Sequence, residues 1–147
     1  MINFLYIREH SPEYHESKSQ WAYWHCKNFK DRKEAYKYIT DSTWAYRYCK
    51  YVKDRPEVRK FITYPNDAYD YCRTVKDRPS IRKYITDSFY AYKYCKYIKD
   101  RPDVRKLITD SNDAYFFCRY IKDRPSTRQY ITKEEHLKNY REWKDEQ

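Results

Sequence analysis

Cys26, Cys49, Cys72, Cys95 and Cys118 are the most reactive side chains in this sequence, and each stands 23 positions after the one before. Thiols hold zinc when two of them, or a thiol and a histidine, lie a few residues apart. Here no two cysteines are closer than 23 residues. Five is an odd number for a disulfide framework and fits a reducing compartment. Each cysteine falls on an apolar face beside Ala and Tyr, where a free thiol packs as a small hydrophobe. The histidines, His10, His15, His25 and His136, form no tight set. His25 takes a position of the apolar stripe and reads as half-buried packing. No local Ser/His/Asp or Cys/His group marks a nucleophile. With no glycine in the chain, a phosphate-cradling loop of the usual kind is excluded. The sequence therefore predicts no catalytic residues, no metal site and no cofactor, and a protein that is not an enzyme.

A ladder of basic residues carries the alternative chemistry. The pattern K-D-R-P-x-x-R-K recurs as Lys53, Arg55, Arg59 and Lys60, then as Lys76, Arg78, Arg82 and Lys83. It returns as Lys99, Arg101, Arg105 and Lys106, and ends as Lys122, Arg124 and Arg128. Residues 17–131 hold 27 Lys and Arg against 14 Asp and Glu, whereas the two ends hold 5 basic and 8 acidic residues. Stacked helices repeat a position every 8–10 Å or so, so such a stripe could follow a phosphate backbone and release its counterions. Trp21, Trp44, Tyr51, Tyr90, Tyr97 and Tyr120 interleave with it as aromatics that would stack bases if exposed. Trp21, Trp44 and Tyr90 also suit packing between layers, or an aromatic anchor for a protein partner. A structural reading stands beside these. Each Asp of the Asp-Arg pairs would cap a helix, its Arg would pair with the Asp of the next unit, and Arg59 and its equivalents would pack on tyrosine rings.

The ladder steps with the cysteines because the whole chain does. Ala22, Ala45, Ala68, Ala91 and Ala114 keep the 23-residue step, and Ile39, Ile62, Ile85, Ile108 and Ile131 close the units. Units two and four share Thr-Asp-Ser and an acidic residue after proline (Glu57, Asp103); units three and five share Asn-Asp and a serine there (Ser80, Ser126). This alternation suggests a 46-residue duplication. Within unit two, Ala45, Tyr48, Cys49 and Val52 share one helical face, with Asp41 or Ser42 as cap. Asp54-Arg55-Pro56-Glu57 has the form of a capping box with Pro in the first turn. Val58, Phe61 and Ile62 follow at helical spacing. A helix of about three turns followed by one of about two is expected, each below the roughly 12–15 residues needed to stand alone.

The predicted fold is all-α: a short α-solenoid or helical array of five 23-residue two-helix repeats at 17–131, with an N-terminal cap at 1–16 and a C-terminal capping helix at 132–147. Thr132 to Glu135 would cap the last helix, and Leu137, Tyr140 and Trp143 or the Lys144 stem would face the array. The absence of glycine suits this fold, since tight hairpins depend on residues with positive φ. Tyrosine, present 20 times, buries its ring while its hydroxyl finds a partner. No apolar run approaches a membrane span, and an intracellular, cytoplasmic location is expected.

The pattern Pro56-Glu57-Val58 followed by Ala68-Tyr69-x-Tyr71-Cys72 resembles an uncharacterised helical-repeat family with units of about two dozen residues, found in arrays of giant viruses, protists and bacteria. The resemblance would cover residues 17–131; the chain lacks that family's glycine and most of its leucines and alanines, and no activity is implied. The Tyr/Lys/Ile/Asp-rich composition also resembles small proteins of large DNA phages, which adds an infected host cell as a setting. The expected function is non-enzymatic binding of nucleic acid without sequence preference. The alternative is a protein-interaction module, an inhibitor or adaptor of viral type docking on an acidic protein surface. No membrane partner is expected.

Overall fold

A computed structural model describes residues 17–147. The described residues are all-α, with helix pairs recurring at the 23-residue step. Their long helices are α1 (Lys18–Asn28), α3 (Ser42–Tyr51), α5 (Pro65–Thr74), α7 (Ser88–Tyr97), α9 (Ser111–Tyr120) and α11 (Glu134–Asp145). Between them lie the short α2 (Lys33–Tyr36), α4 (Pro56–Arg59), α6 (Pro79–Arg82), α8 (Pro102–Arg105) and α10 (Pro125–Arg128). The chain divides into two compact units, Met1–Tyr84 and Ile85–Gln147. In the first, α1 packs on α3 and α3 on α5; in the second, α7 packs on α9 and α9 on α11. Each short helix folds back on its own long helix. The expected N-terminal cap at 1–16 lies outside the described residues.

The repeating alanines, cysteines and isoleucines are all buried, as are Tyr48, Tyr71, Tyr94 and Phe117. Alanine lets backbones approach, and the large rings fill the space between turns. The five cysteines are free. Burial pushes the Cys26 thiol up to about 11 and those of Cys49, Cys72 and Cys95 to about 12. They are core atoms kept neutral by desolvation.

The long helices start as the sequence implies. The Asp41 carboxylate accepts from the Thr43 and Trp44 amides (3.0 and 3.1 Å), and Asp87 and Asp110 repeat the cap. In α5 a proline at the first turn replaces the capping carboxylate. They end without any residue of positive φ among the described residues. Instead the Tyr48 carbonyl accepts from both Val52 and Lys53 amides, and Tyr71, Tyr94 and Phe117 repeat this shared closure. That is how a chain without glycine terminates its helices.

The short helices depart from expectation. Each is one α-turn, not two, extended by a tighter step in which Phe61 donates to the Val58 carbonyl and Ile62 to Arg59. Their N-caps are Arg55, Arg78, Arg101 and Arg124, with no side-chain cap bond. The Asp before each stands one residue too early to cap, and charged donors claim it. The Thr132 box fails for the same reason: α11 begins at Glu134 with Lys133 as N-cap.

A serine tie closes four of the five repeats, the third having Pro65 in its place. Ser42 Oγ accepts from the Thr63 and Tyr64 amides at 3.1 and 3.0 Å; Ser19, Ser88 and Ser111 do the same for their own units. These amides begin the next long helix and would otherwise be orphaned. Ser42→Ala should lower stability by about 1–3 kcal/mol, because it strands two donors at a buried position. Urea unfolding checks this; an unchanged midpoint would show that water replaces the hydroxyl.

Candidate nucleic-acid interface

The predicted basic ladder separates into two populations. Arg55, Arg59, Arg78, Arg82, Arg105, Arg124 and Arg128 belong to ion pairs inside the two compact units. In the first unit, Asp31 accepts from Arg55 (Nη2, 2.5 Å) and from the Tyr48 hydroxyl (2.6 Å). Asp54 accepts from Arg59 (2.7 Å), from Arg78 (2.9 Å) and from the Tyr71 hydroxyl (3.0 Å). Arg82 pairs with Asp77 at 2.7 Å. In the second unit, Asp100 holds Arg105 (2.5 Å) and Arg124 (3.1 Å), and Asp123 holds Arg128 (2.8 Å), the Tyr140 hydroxyl (2.8 Å) and Lys144 (3.4 Å). Arg101 is half-buried.

The tie runs opposite to the expected direction. Arg55 and Arg78 reach back to the Asp of the preceding repeat, not forward. The reason is the Asp's position just before its short helix, where the next repeat's tyrosine and arginine both converge on it. Partial burial works against ionising Asp31, yet Tyr48 and Arg55 outweigh it and hold the carboxyl below its usual range. Burial is likewise outweighed at Asp54 by Arg59, Arg78 and Tyr71, and at Asp123 by Tyr140 and Arg128. With side chains only 14% and 10% exposed, Arg59 and Arg82 are poor probes of binding, since changing them attacks the fold.

The ladder's lysines are the second population. Lys53, Lys60, Lys76, Lys83, Lys99, Lys106 and Lys122 are all exposed. The aromatics also sort. Tyr51, Tyr97 and Tyr120 are 54–55% exposed. Trp21, Trp44 and Tyr90, open between an exposed role and packing between layers, are half-buried. Trp44 packs against the Tyr23 ring at 5.3 Å with the Arg47 guanidinium over the Trp44 ring at 4.8 Å, and Trp21 stacks on His25 at 5.4 Å.

A further ladder went unread in the sequence. Tyr23, Tyr46, Tyr69, Tyr92 and Tyr115 keep the 23-residue step, and four residues after each stands a base: Lys27, Lys50, Arg73, Lys96 and Arg119. Such pairs lie one helical turn apart. In the first unit, Lys27 lies over Tyr23 (5.7 Å) and over Tyr51 of the next repeat (5.2 Å), while Lys50 donates to the Tyr46 hydroxyl (3.2 Å) and covers Tyr51 (5.0 Å). In the second, Lys96 covers Tyr92, Tyr97 and Tyr120 at 5.3–5.6 Å, and Arg119 donates to the Tyr115 hydroxyl (2.5 Å). Among the described residues no carboxylate lies within ion-pair distance of Lys27, Lys50, Lys96 or Arg119. Each compact unit thus presents exposed cations on tyrosine rings, a mixture that offers charge and π-faces together.

The last helix resolves as a worn sixth copy of a long helix. Tyr140 stands 23 residues after Phe117 and supplies the hydroxyl to Asp123 that Tyr48 supplies to Asp31. His136 Nδ1 meets the Ser111 hydroxyl at 2.9 Å. Its Tyr140 and Lys144 face the preceding repeat as expected, and Leu137 and Trp143 are half-buried. No group of three His, Cys, Asp or Glu among the described residues is placed to hold a metal. No helix among them is long and apolar enough to cross a membrane.

Fold and ladder together define an all-α protein of helix-pair repeats at a 23-residue spacing. No family model, no curated protein and no solved structure matches the chain.

Phe117 breaks the tyrosine series that serves the Asp ladder, leaving Asp100 with arginines alone. Phe117→Tyr should stabilise by about 1 kcal/mol, and Tyr48→Phe should destabilise by about 1.5–3 kcal/mol, since both bonds go to a charged acceptor. Thermal melts of the two variants decide; destabilisation by Phe117→Tyr would mean the Asp100 site has no room for the hydroxyl. The carboxylates also set a pH profile. Asp31, Asp54 and Asp123 are held low, so their contribution is complete above about pH 4 and is lost as pH falls below it. Burial raises Asp67 and Asp113, whose ionisation therefore costs stability as pH rises past about 4. Asp67→Asn with Asp113→Asn should raise the urea midpoint at neutral pH, with the gain vanishing in acid. A gain that persists at acid pH would assign it to something other than charge.

Proposed function

We propose that this chain is a non-enzymatic, intracellular binding protein that holds a nucleic-acid strand without sequence preference. The observation that carries the reading is the lysine–tyrosine surface of each compact unit: cations stacked on rings, no carboxylate paired with Lys27, Lys50, Lys96 or Arg119, and Tyr51, Tyr97 and Tyr120 more than half exposed. Phosphates would take the ammonium groups, and bases would stack on the exposed rings, as single-strand binders do. The exposed ladder lysines add electrostatic attraction; the arginines, already neutralised by aspartates, add little. The formal charge of +10 favours a polyanion. The family resemblance implies no activity and bears on neither binding class.

Fluorescence anisotropy with oligothymidine, oligouridine and a DNA duplex, at two salt concentrations, tests this. Binding should weaken steeply with salt, favour single strands, and fall by about tenfold or more in Lys50→Glu with Lys96→Glu. Nuclease-treated protein that binds none of the three would sink the reading and turn the search to an acidic protein partner.

A further inference from the structure

One cavity of the first compact unit is lined by basic and hydroxyl side chains without a carboxylate. It is a shallow pocket of about 230 Å3 between α4 and α6. Pro56 and Ile81 give it apolar walls; its polar lining is Arg59, Lys60, Ser80, Lys83 and Tyr84. Three cations and two hydroxyls converge there, and no carboxylate lines it. The charge of Arg59 is balanced from outside by Asp54 at 2.7 Å. Lys60 and Lys83 have no such partner: among the described residues no carboxylate reaches either, and their ammonium groups lie over the rings of Phe61 (5.0 Å) and Tyr84 (4.9 Å). Two lysines without a carboxylate partner line one pocket, which leaves its positive charge for an anion to balance.

The 46-residue alternation explains why the pocket is free of acid. Its far wall comes from α6, where Ser80 follows the proline; repeats two and four carry Glu57 and Asp103 at that position. In the second unit, α8 and α10 repeat the register with Arg105, Lys106, Ser126 and Tyr130, but Gln129 stands where Lys83 stands. That copy has lost a cation. The residues at α4 and α6 are thus the set in which serine, tyrosine and both lysines coincide.

We propose that the α4–α6 pocket is a phosphate-binding site, taking a free phosphate ion or one phosphate group of a nucleic-acid backbone. The volume suits a tetrahedral oxyanion with a few waters, each water occupying about 30 Å3. Lys60 and Lys83 supply the charge, Ser80 and Tyr84 the hydroxyl donors, and the Arg59–Asp54 pair a fixed edge. The site shares the ladder lysines Lys60 and Lys83 with the proposed strand-binding surface but uses neither the long-helix tyrosines nor Lys50 and Lys96, so the two can be tested separately.

The test is titration of the whole chain with inorganic phosphate at constant ionic strength in chloride, followed by phosphorus NMR line width and by thermal shift. The parent should show saturable binding. Lys60→Gln with Lys83→Gln, which imports the residue the last repeat already carries, should weaken it by about tenfold or more while leaving the phosphate-free melt unchanged. Lys50→Glu with Lys96→Glu should leave phosphate binding intact. Competition by unphosphorylated-end oligothymidine would identify a backbone phosphate as the ligand; binding without competition would identify a free phosphate. A parent that shows no saturable binding, or a glutamine variant that binds as well as the parent, overturns the proposal.

Discussion

An aspartate shared between two repeats is the interaction on which the rest of this structure depends. Asp54 takes a guanidinium from its own short helix, a guanidinium from the next repeat and a tyrosine hydroxyl from the next long helix. Helices of 10 and 4 residues do not persist alone in water. What holds them is a neighbour, and the aspartate is where apolar stacking acquires a fixed register. Alanines and isoleucines would tolerate a slip; a carboxylate with three directional donors does not. The same groups explain why a thin core suffices. The tyrosine rings bury their area while their hydroxyls meet charge, so large side chains enter the core without leaving a polar atom unpaired.

That arrangement also divides the protein's charge by purpose. Arginine, with its planar fork, serves the half-buried ladder; lysine, with a compact and strongly hydrated head, stays at the surface. The division is why a basic stripe that looks uniform in sequence is not uniform in space. It leaves the ladder lysines and the tyrosine-backed cations exposed, while the ladder arginines that pair with aspartates are not. The repeats are irregular at a few positions: Phe117 in a tyrosine series, Pro65 in a serine series, Ser80 where its neighbours carry acid.

Much of this was legible in the sequence. The 23-residue step of Cys26 to Cys118 set the repeat, the Ala45, Tyr48, Cys49 face set the long helix, and Asp41 set its cap. The short helix was legible only in part, because Pro56 fixes where it starts but its length depends on how soon Ile62 must enter the core. The lysine–tyrosine surface was open to the same counting that found the cysteines. It was missed because tyrosine occurs on both faces of these helices, so a periodic tyrosine does not announce which side it is on. For the same reason Trp44 and Tyr90 stood open between an exposed reading and packing between layers, and the fold leaves both half-buried.

By itself the sequence determined that the chain is helical, that its unit is 23 residues, that its cysteines are core atoms and where its positive charge is concentrated. Those properties follow from local periodicity and composition, which are written along the chain. The tertiary structure alone decided which cations remain available. Whether Arg59 or Lys60 faces a partner depends on a carboxylate contributed from elsewhere in the fold, and whether a tyrosine stacks inward or outward depends on the next helix. Charge and aromaticity are properties of residues, but their freedom to bind is a property of neighbours brought together only by folding.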